Sequence, residues 1–416
     1  MDILYLTAYS YPENAASSYL SDNRNEAFVN AGFGVVNYTP VPTRGVDDSV
    51  RRKYSKELKD EYLFDGKVIV HRFALMREGK NPLLRAIRYF LSCVIQFCKG
   101  VWGKDSRKCN VILVGSTPPI QGLMASFVKK IRKIPFVYIV QDIFPDSLAG
   151  TGLAKKGGLL WKIGLCVANF TFRNADKIIV ISEDFKKNLM AKGVPDEKIE
   201  IIYNWVDEQA VVDVPRSENK LFKKYNLDPT KFYVTYNGNI GLTQNMDMLL
   251  EVAKEMEIIE DIQFVLVGNG AYLEQVKQIV ADRNISNVHL LPFQPYEDIS
   301  HVFSLGDVSL VISKPGVGEN SVPSKTWSIM SASRPVLANF DENELKTIIE
   351  ENNCGIFTKA GDKVAFTDAI LKLYNDRDLC KEYGRNGRQF VMDNLTREVG
   401  TQKYVDVIKI VASSQR

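Results

Sequence analysis

Short apolar runs rich in β-branched residues alternate with longer stretches of helical period along nearly the whole chain, and the series occurs twice. Such alternation predicts parallel sheets, because each helix carries the chain back so that the next strand can pair in the same direction. In the first series strands are expected at Ile3–Thr7, Val35–Thr39, Val68–Arg72, Val111–Val114, Phe136–Val140, Lys177–Ile181 and Ile199–Ile202. Helical patterns fall at Leu83–Val101, Ile120–Ile131, Leu159–Arg173 and Phe185–Lys192. A polar stretch of weak periodicity then runs to about Pro229, which reads as an interdomain linker with a docking helix. Strands of the second series are expected at Phe232–Tyr236, Phe264–Val267, Val288–Leu291, Val308–Ile312, Pro335–Ala338 and Gly355–Phe357. The fold class is therefore α/β, two doubly wound Rossmann-like domains over 1–207 and 208–394, with ligands expected in a cleft at the carboxyl ends of the strands.

A chain of 416 residues holds two such lobes, and 45% hydrophobic with 25% charged residues is ordinary globular material. The formal charge of +3 is unevenly spread: residues 1–205 carry +10 and residues 206–416 carry −7. Six cysteines (Cys93, Cys98, Cys109, Cys166, Cys354, Cys380) form no C-x-x-C pair, which suggests reduced, buried thiols. No basic region precedes the strand-like Met1–Leu6, so no signal peptide is expected and the protein reads as cytoplasmic. Three dispersed histidines (His71, His289, His301) support neither a His metal site nor Ser-His-Asp chemistry. The basic run Lys129-Lys130-Ile131-Arg132-Lys133 lacks interleaved aromatics, and no nucleic-acid partner is expected.

The greasiest stretch, Pro82–Trp102, contains Arg85, Arg88, Gln96 and Lys99, and its apolar runs fall short of the ~20 residues of a membrane span. It is either an amphipathic cover for the sheet or a surface that lays the basic lobe on anionic lipid. In the second reading Arg85, Arg88, Lys99 and Lys104 flank Leu83, Leu84, Phe90, Leu91, Ile95, Phe97 and Trp102.

Chemistry-bearing residues concentrate where strands end. Gly238-Asn239-Ile240-Gly241 follows the first strand of the second domain, where glycines admit a close ligand and main-chain N–H groups can meet a diphosphate. Gly268-Asn269 closes the next strand. Neither turn completes G-x-G-x-x-G, and no phosphate-binding G-x-x-x-x-G-K-[ST] occurs. The fourth strand leads into Lys314-Pro315-Gly316-Val317-Gly318-Glu319-Asn320-Ser321-Val322-Pro323-Ser324-Lys325, which offers main-chain donors, a carboxylate and an ammonium to one sugar-linked polyphosphate. Lys325 at a helix start opposes the helix dipole, which favours a bound anion over mere solvation. Asp142 and Asp146 end a strand of the first domain and serve either turn and cap chemistry or an acceptor hydroxyl. No Asp-x-Asp stands at a strand end, so no metal requirement and no cofactor are expected.

The order of Tyr11-Pro12-Glu13-Asn14, Gln141-Asp142-Ile143-Phe144-Pro145-Asp146, Ala175 to Ser182, Ile202 to Asp207, Gly238 to Gly241 and Val322-Pro323-Ser324-Lys325 resembles the GT-B glycosyltransferases of family 4. Within them the chain is most similar to the bacterial surface-polysaccharide branch that includes fucosamine-transferase-like enzymes. The resemblance implies an acceptor-binding first domain, a nucleotide-sugar-binding second domain, and a C-terminal helix at about 395–416 that crosses back onto the first. It implies a retaining transferase moving a hexose or N-acetylhexosamine, from a UDP-sugar by preference, to a lipid-linked saccharide at the inner face of the plasma membrane. Catalytic roles then fall to Glu319, Lys325 and Asp142. Donor binding falls to Gly238, Asn239, Ile240, Gly241, Gly268, Asn269, Asn320, Ser321, Ser324 and Ser328, and acceptor binding to Glu13, Asn14 and Asp146. Two departures stand out: Asn239 and Gln244 lie where the family commonly has Arg and Lys, and the second Glu of its E-x7-E pair falls at Ser328. Either another side chain holds the ribose or donor affinity is low. A nucleotide-sugar 2-epimerase on the same fold and a non-catalytic sugar-binding scaffold are the competing readings.

Overall fold

A computed structural model of the chain describes residues 1–13, 18–79, 81–146, 155, 157–318 and 322–413. It divides into two compact units, Met1–Tyr203 with Gly400–Arg416, and Asn204–Val399. The helix Arg397–Ser413 therefore delivers most of its length to the first unit.

Among the described residues the first unit holds eight strands: β1 (Asp2–Leu6), β2 (Gly34–Pro40), β3 (Asp60–Leu63), β4 (Val68–Phe73), β5 (Cys109–Gly115), β6 (Phe136–Val140), β7 (Lys177–Val180) and β8 (Ile199–Ile201). Their order is β3-β4-β2-β1-β5-β6-β7-β8, parallel except for β3 against β4. All five residues of β6 are buried, as expected where helices cover both faces of a parallel sheet. One face packs Leu4, Leu6, Ile112, Val114 and Val180 against Val101, Met124, Val128 and Phe172 of the helices Pro82–Trp102, Gln121–Arg132 and Leu159–Asn174. The edge strand β3 escapes the sequence pattern because Asp60-Glu61-Tyr62-Leu63 is charged and largely exposed, with no apolar run to mark it.

The second unit holds β9 (Phe232–Asn239), β10 (Ile262–Asn269), β11 (Val288–Leu291), β12 (Val308–Ile312), β13 (Val336–Phe340) and β14 (Gly355–Lys359). All are parallel in the order β11-β10-β9-β12-β13-β14. The order reverses between β9 and β12, and open α/β sheets bind ligands beyond the carboxyl ends at such a switch point. The flanking helices are capped as their sequences dictate: Asp362 accepts from Ala365 N–H and Asp376 from Leu379 N–H, each at 2.9 Å.

The segment expected to be a linker is packed instead. Ser300 Oγ donates to Ala210 O at 2.6 Å and accepts from Val212 N–H at 3.0 Å, while Ser331 Oγ donates to Val211 O at 2.6 Å. Its extended, polar backbone finds its hydrogen bonds on serines of the second unit, so weak periodicity here marks an irregular strap and not a free connection. The expected helix is short, Lys220–Lys224.

Candidate functional site

β9 and β10 stay in register to their ends, pairing Asn237 with Val267, Gly238 with Gly268 and Asn239 with Asn269. Gly238 has φ +122°, and a Cβ built on it would lie 3.3 Å from Lys325 Nζ; one built on Gly268 would lie 1.9 Å from Gly238 O. Glycine at both positions thus lets two strand ends run together and leaves room above them for an ammonium.

That ammonium belongs to Lys325, the first residue of the helix Lys325–Ser331. Its Nζ sits 3.8 Å from the ring centroid of Tyr236, whose hydroxyl donates to Asn239 O at 2.6 Å and so fixes the ring. No carboxylate among the described residues pairs with it, and burial depresses its pKa from 10.5 to about 7. A cation that is desolvated, placed at the wrong end of a helix and, among the described residues, compensated by a ring face alone is poised for an anion.

Three neighbouring positions carry buried polar atoms without partners among the described residues: both amide atoms of Asn237, Ser313 Oγ and Thr326 Oγ1. Asn237 is 4% exposed. Unmet groups of this kind are costly in a finished core and common where a ligand completes the bonding.

The loops above the sheet are tied to one another. Lys314 N–H donates to Thr243 O at 2.8 Å, Ile240 N–H to Asn269 O at 2.9 Å, and Tyr272 N–H to Ile240 O at 2.9 Å. Gly241 N–H donates to Gln244 Oε1 at 3.0 Å. The expectation that N–H groups across Gly238–Gly241 face a phosphate is therefore corrected for Ile240 and Gly241, whose donors are spent inside the protein. The turn clears space; the charge must come from side chains. A second lysine follows β12: Lys314 Nζ lies 5.4 Å from the Tyr272 ring, and Tyr272 donates to both oxygens of Asp247. Lys314 stands two residues past the end of β12 and was not singled out in the sequence, where of that loop's lysines only Lys325 was.

Ser324 precedes the Lys325 helix without capping it, and Ser328 lies one turn below Lys325 on the same side. Glu319, Asn320, Ser321 and Asn14 lie outside the described residues.

In the first unit the acceptor candidates are engaged. Glu13 is buried and accepts N–H bonds from Thr43 at 2.8 Å, Arg44 at 3.1 Å and Ser10 at 3.3 Å; burial nonetheless raises its pKa. Asp146 pairs with Lys192 at 2.7 Å and Asn188 at 3.3 Å; burial opposes its ionisation, but these partners outweigh it and hold the carboxyl below its ordinary range. Asp142 stays exposed at the end of β6, its N–H donating to Ser116 Oγ at 3.3 Å.

The helix Pro82–Trp102 is partly inverted: beside the buried Cys93 and Val101 it turns a line of polar residues to the core. Arg88, Ser92 and Gln96, spaced i, i+4, i+8, face inward and are 1–2% exposed. Gln96 Nε2 donates to Thr7 O and Tyr38 O, and Arg88 donates to Met76 O at 3.0 Å and Thr43 Oγ1 at 3.2 Å. The expectation that Arg88 flanks a lipid-facing surface is corrected: it is an internal strut. The outward face carries Leu83 (70% exposed), Ile87, Phe90 (61%), Val94 and Trp102, and the adjoining helices add Phe127, Ile131, Leu159 and Leu160. Among the described residues no helix is long and apolar enough to cross a membrane.

Among the described residues no cluster of three or more His, Cys, Asp or Glu side chains is placed to hold a metal ion. A cavity of about 480 Å³ lies at the opposite, amino end of the second sheet, but Arg216, Arg334 and Arg377 there are matched by Asp307 and Asp213 as a structural ion-pair cluster.

Two family models match side by side: Glycosyltransferase Family 4 over residues 50–210 and Glycosyl transferases group 1 over residues 217–390. A Pseudomonas aeruginosa protein named Probable glycosyltransferase WbjE is 24% identical over 346 residues, 83% of this chain and 85% of that protein. The Escherichia coli K12 glycosyl transferase WcaI, named for colanic acid biosynthesis, is 28% identical over 199 residues, 46% of this chain and 48% of its own. Among solved structures, Anabaena HepE in complex with UDP is similar with a TM-score of 0.72 at 16% identity, covering 98% of this chain and 100% of that one. At that identity the likeness concerns the fold.

Proposed function

We propose, for a chain that belongs to the GT-B glycosyltransferases of family 4, that it moves a hexose or N-acetylhexosamine from a UDP-sugar to a lipid-linked saccharide in cell-surface polysaccharide biosynthesis. The observation that carries this reading is Lys325: a desolvated ammonium, without a carboxylate partner among the described residues, over a glycine gap at the switch point of the second sheet. A diphosphate would give it a charge partner, and Lys314, two residues past the end of β12 in the same sheet, is the second cation assigned to it. Solved complexes of HepE with UDP and with UDP-glucose support the choice of nucleotide, and the name of WcaI supports the choice of pathway class. Catalysis is then mainly positioning and charge stabilisation: cations hold the departing diphosphate, Glu319 faces the positive charge that develops on the sugar, and the acceptor attacks on the leaving-group face with retention.

Two side-chain cations in place of a carboxylate-held metal make the reaction independent of divalent ions. In EDTA, a UDP-sugar should raise the melting temperature and transfer should proceed; at about 100 Kd a ligand contributes roughly 2.7 kcal/mol. If no nucleotide sugar stabilises the protein, or if turnover returns only with Mg²⁺ or Mn²⁺, the reading of the site is wrong.

The inverted helix gives the lipid acceptor a place to be met. Its apolar face is exposed because its polar residues are spent inward, and the first unit is basic, so the protein docks on the anionic inner leaflet. Replacing Arg85, Lys99 and Lys104 with Gln should weaken sedimentation with acidic vesicles by roughly two orders of magnitude, at about 1 kcal/mol per cation. Phe90→Ser with Trp102→Ser should weaken it on neutral vesicles as well. Wild-type sedimentation by both variants would leave the helix as a cover for the sheet.

A further inference from the structure

Tyr236 stands two residues before Gly238 on β9, so the pleat turns both to one face of the strand. A Cβ built on Gly238 would lie 3.3 Å from Lys325 Nζ and 3.6 Å from its Cε, while Nζ lies 3.8 Å from the Tyr236 ring centroid. The end of the lysine side chain therefore borders the space that a side chain at 238 would fill, with an aromatic face beside it. That face is held from two sides. Tyr236 is fully buried in the core of the second unit, and its hydroxyl donates to Asn239 O at 2.6 Å. Asn239 in turn pairs with Asn269 at the end of β10, whose carbonyl accepts Ile240 N–H at 2.9 Å. Burial pushes the Tyr236 phenol upward, so the hydroxyl remains a donor and the ring remains neutral.

We propose that Tyr236 is a positioning residue for the transfer reaction: its ring face holds the Lys325 ammonium at the Gly238 gap, charged and ordered, until the diphosphate of the donor takes it up. This rests on the reading of Lys325 as the cation that meets the diphosphate. A lysine on its flexible stem loses rotamer freedom when it binds an anion, and a site that has ordered it beforehand binds more tightly. A carboxylate would order it too, but the diphosphate would then have to displace a group of its own charge sign. A ring face attracts the cation through its quadrupole and carries no net charge, so nothing has to be displaced. The attraction grows with desolvation, which is the condition of this lysine. The hydroxyl has a narrower part: it ties the ring to the turn and leaves the holding to the face.

The test is Tyr236→Phe together with its mono-, di- and trifluorinated forms, which keep the shape of the ring while each fluorine draws charge from its face; thermal melts are the control for folding. Tyr236→Phe should lower donor kcat/KM by no more than about threefold, because the face is kept. Across the fluorinated forms kcat/KM should fall stepwise, by roughly 10- to 30-fold in total, with the Kd of the UDP-sugar rising alongside and a cooperative melt retained. A ring that merely fills the core becomes no worse with fluorine. In a Lys325→Met background, which keeps the length and removes the charge, the same series should be flat within about threefold, because the group being held is gone. A flat series beside Lys325 while Lys325→Met itself loses activity, or an equal fall in both backgrounds, overturns the role of Tyr236 and leaves Lys325 in place. Lys325→Met at the wild-type rate overturns both the proposal and its premise.

Discussion

Lys325→Ala is expected to lower kcat/KM for the donor by roughly two orders of magnitude or more, the scale of a few kcal/mol lost when a preorganised charge on a leaving group is removed. The free protein should not suffer. The Lys325 ammonium has no carboxylate partner among the described residues, and burial depresses its pKa to about 7 from 10.5. The unfolded chain therefore binds more protons at this site between about pH 7 and 10.5, so stability rises with pH across that window and the charged lysine is a penalty at neutral pH. Alanine removes the penalty. An unchanged or raised melting temperature at pH 7 alongside lost activity would separate a ligand-binding lysine from a structural one. The same geometry fixes a pH dependence: a diphosphate raises the Lys325 pKa, so binding takes up a proton above pH 7 and donor affinity falls with rising pH, by up to about tenfold per unit. A donor KM flat from pH 6.5 to 9, or near wild-type turnover of the alanine variant, would refute the assignment.

What was legible in the sequence was periodicity and what lies next to strand ends. Each of the parallel strands is marked by an apolar run between turns, and Lys325 is visible because a lysine at a helix start is out of place. Signals that depend on which way a side chain turns were not legible in the same way. Arg88 sits among Leu, Ile and Phe and reads as a surface charge until its i, i+4, i+8 partners Ser92 and Gln96 show the polar line to be the inner one. Asp341, just past β13, accepts N–H bonds from Gly316 and Gly318, 25 and 23 positions upstream in the loop after β12, and only the pairing of those two strands brings them together. β3 was missed because it buries no apolar run of its own, and the stretch 210–214 of the strap was misread because it is held by hydrogen bonds to serines of other elements, while the apolar Leu221, Phe222 and Leu227 that follow it are buried. In the site, Asn237, Ser313 and Thr326 look like ordinary polar residues at strand and helix ends. Only burial without partners among the described residues distinguishes them.

Glu319→Gln should reduce kcat by about 100- to 1000-fold while leaving donor affinity close to wild type, because an interaction made with charge that develops only in the transition state contributes little to ground-state binding. Glutamine keeps the length and one acceptor oxygen, so it isolates the charge from the shape. The prediction separates three roles that one carboxylate could play. A ribose or base contact would show as a raised Kd for UDP with kcat preserved. A residue that only holds the loop would be tolerant of the isosteric amide, leaving both constants near wild type. A carboxylate facing an oxocarbenium-like sugar would lose kcat and kcat/KM together, and UDP would still protect the variant against thermal unfolding. Asp142→Asn supplies the comparison, since Asp142 is an exposed carboxylate at the end of β6 in the other unit. Its substitution should cost kcat less than Glu319→Gln does, and a larger loss at Asp142 would move the charge-stabilising role from the second unit to the first.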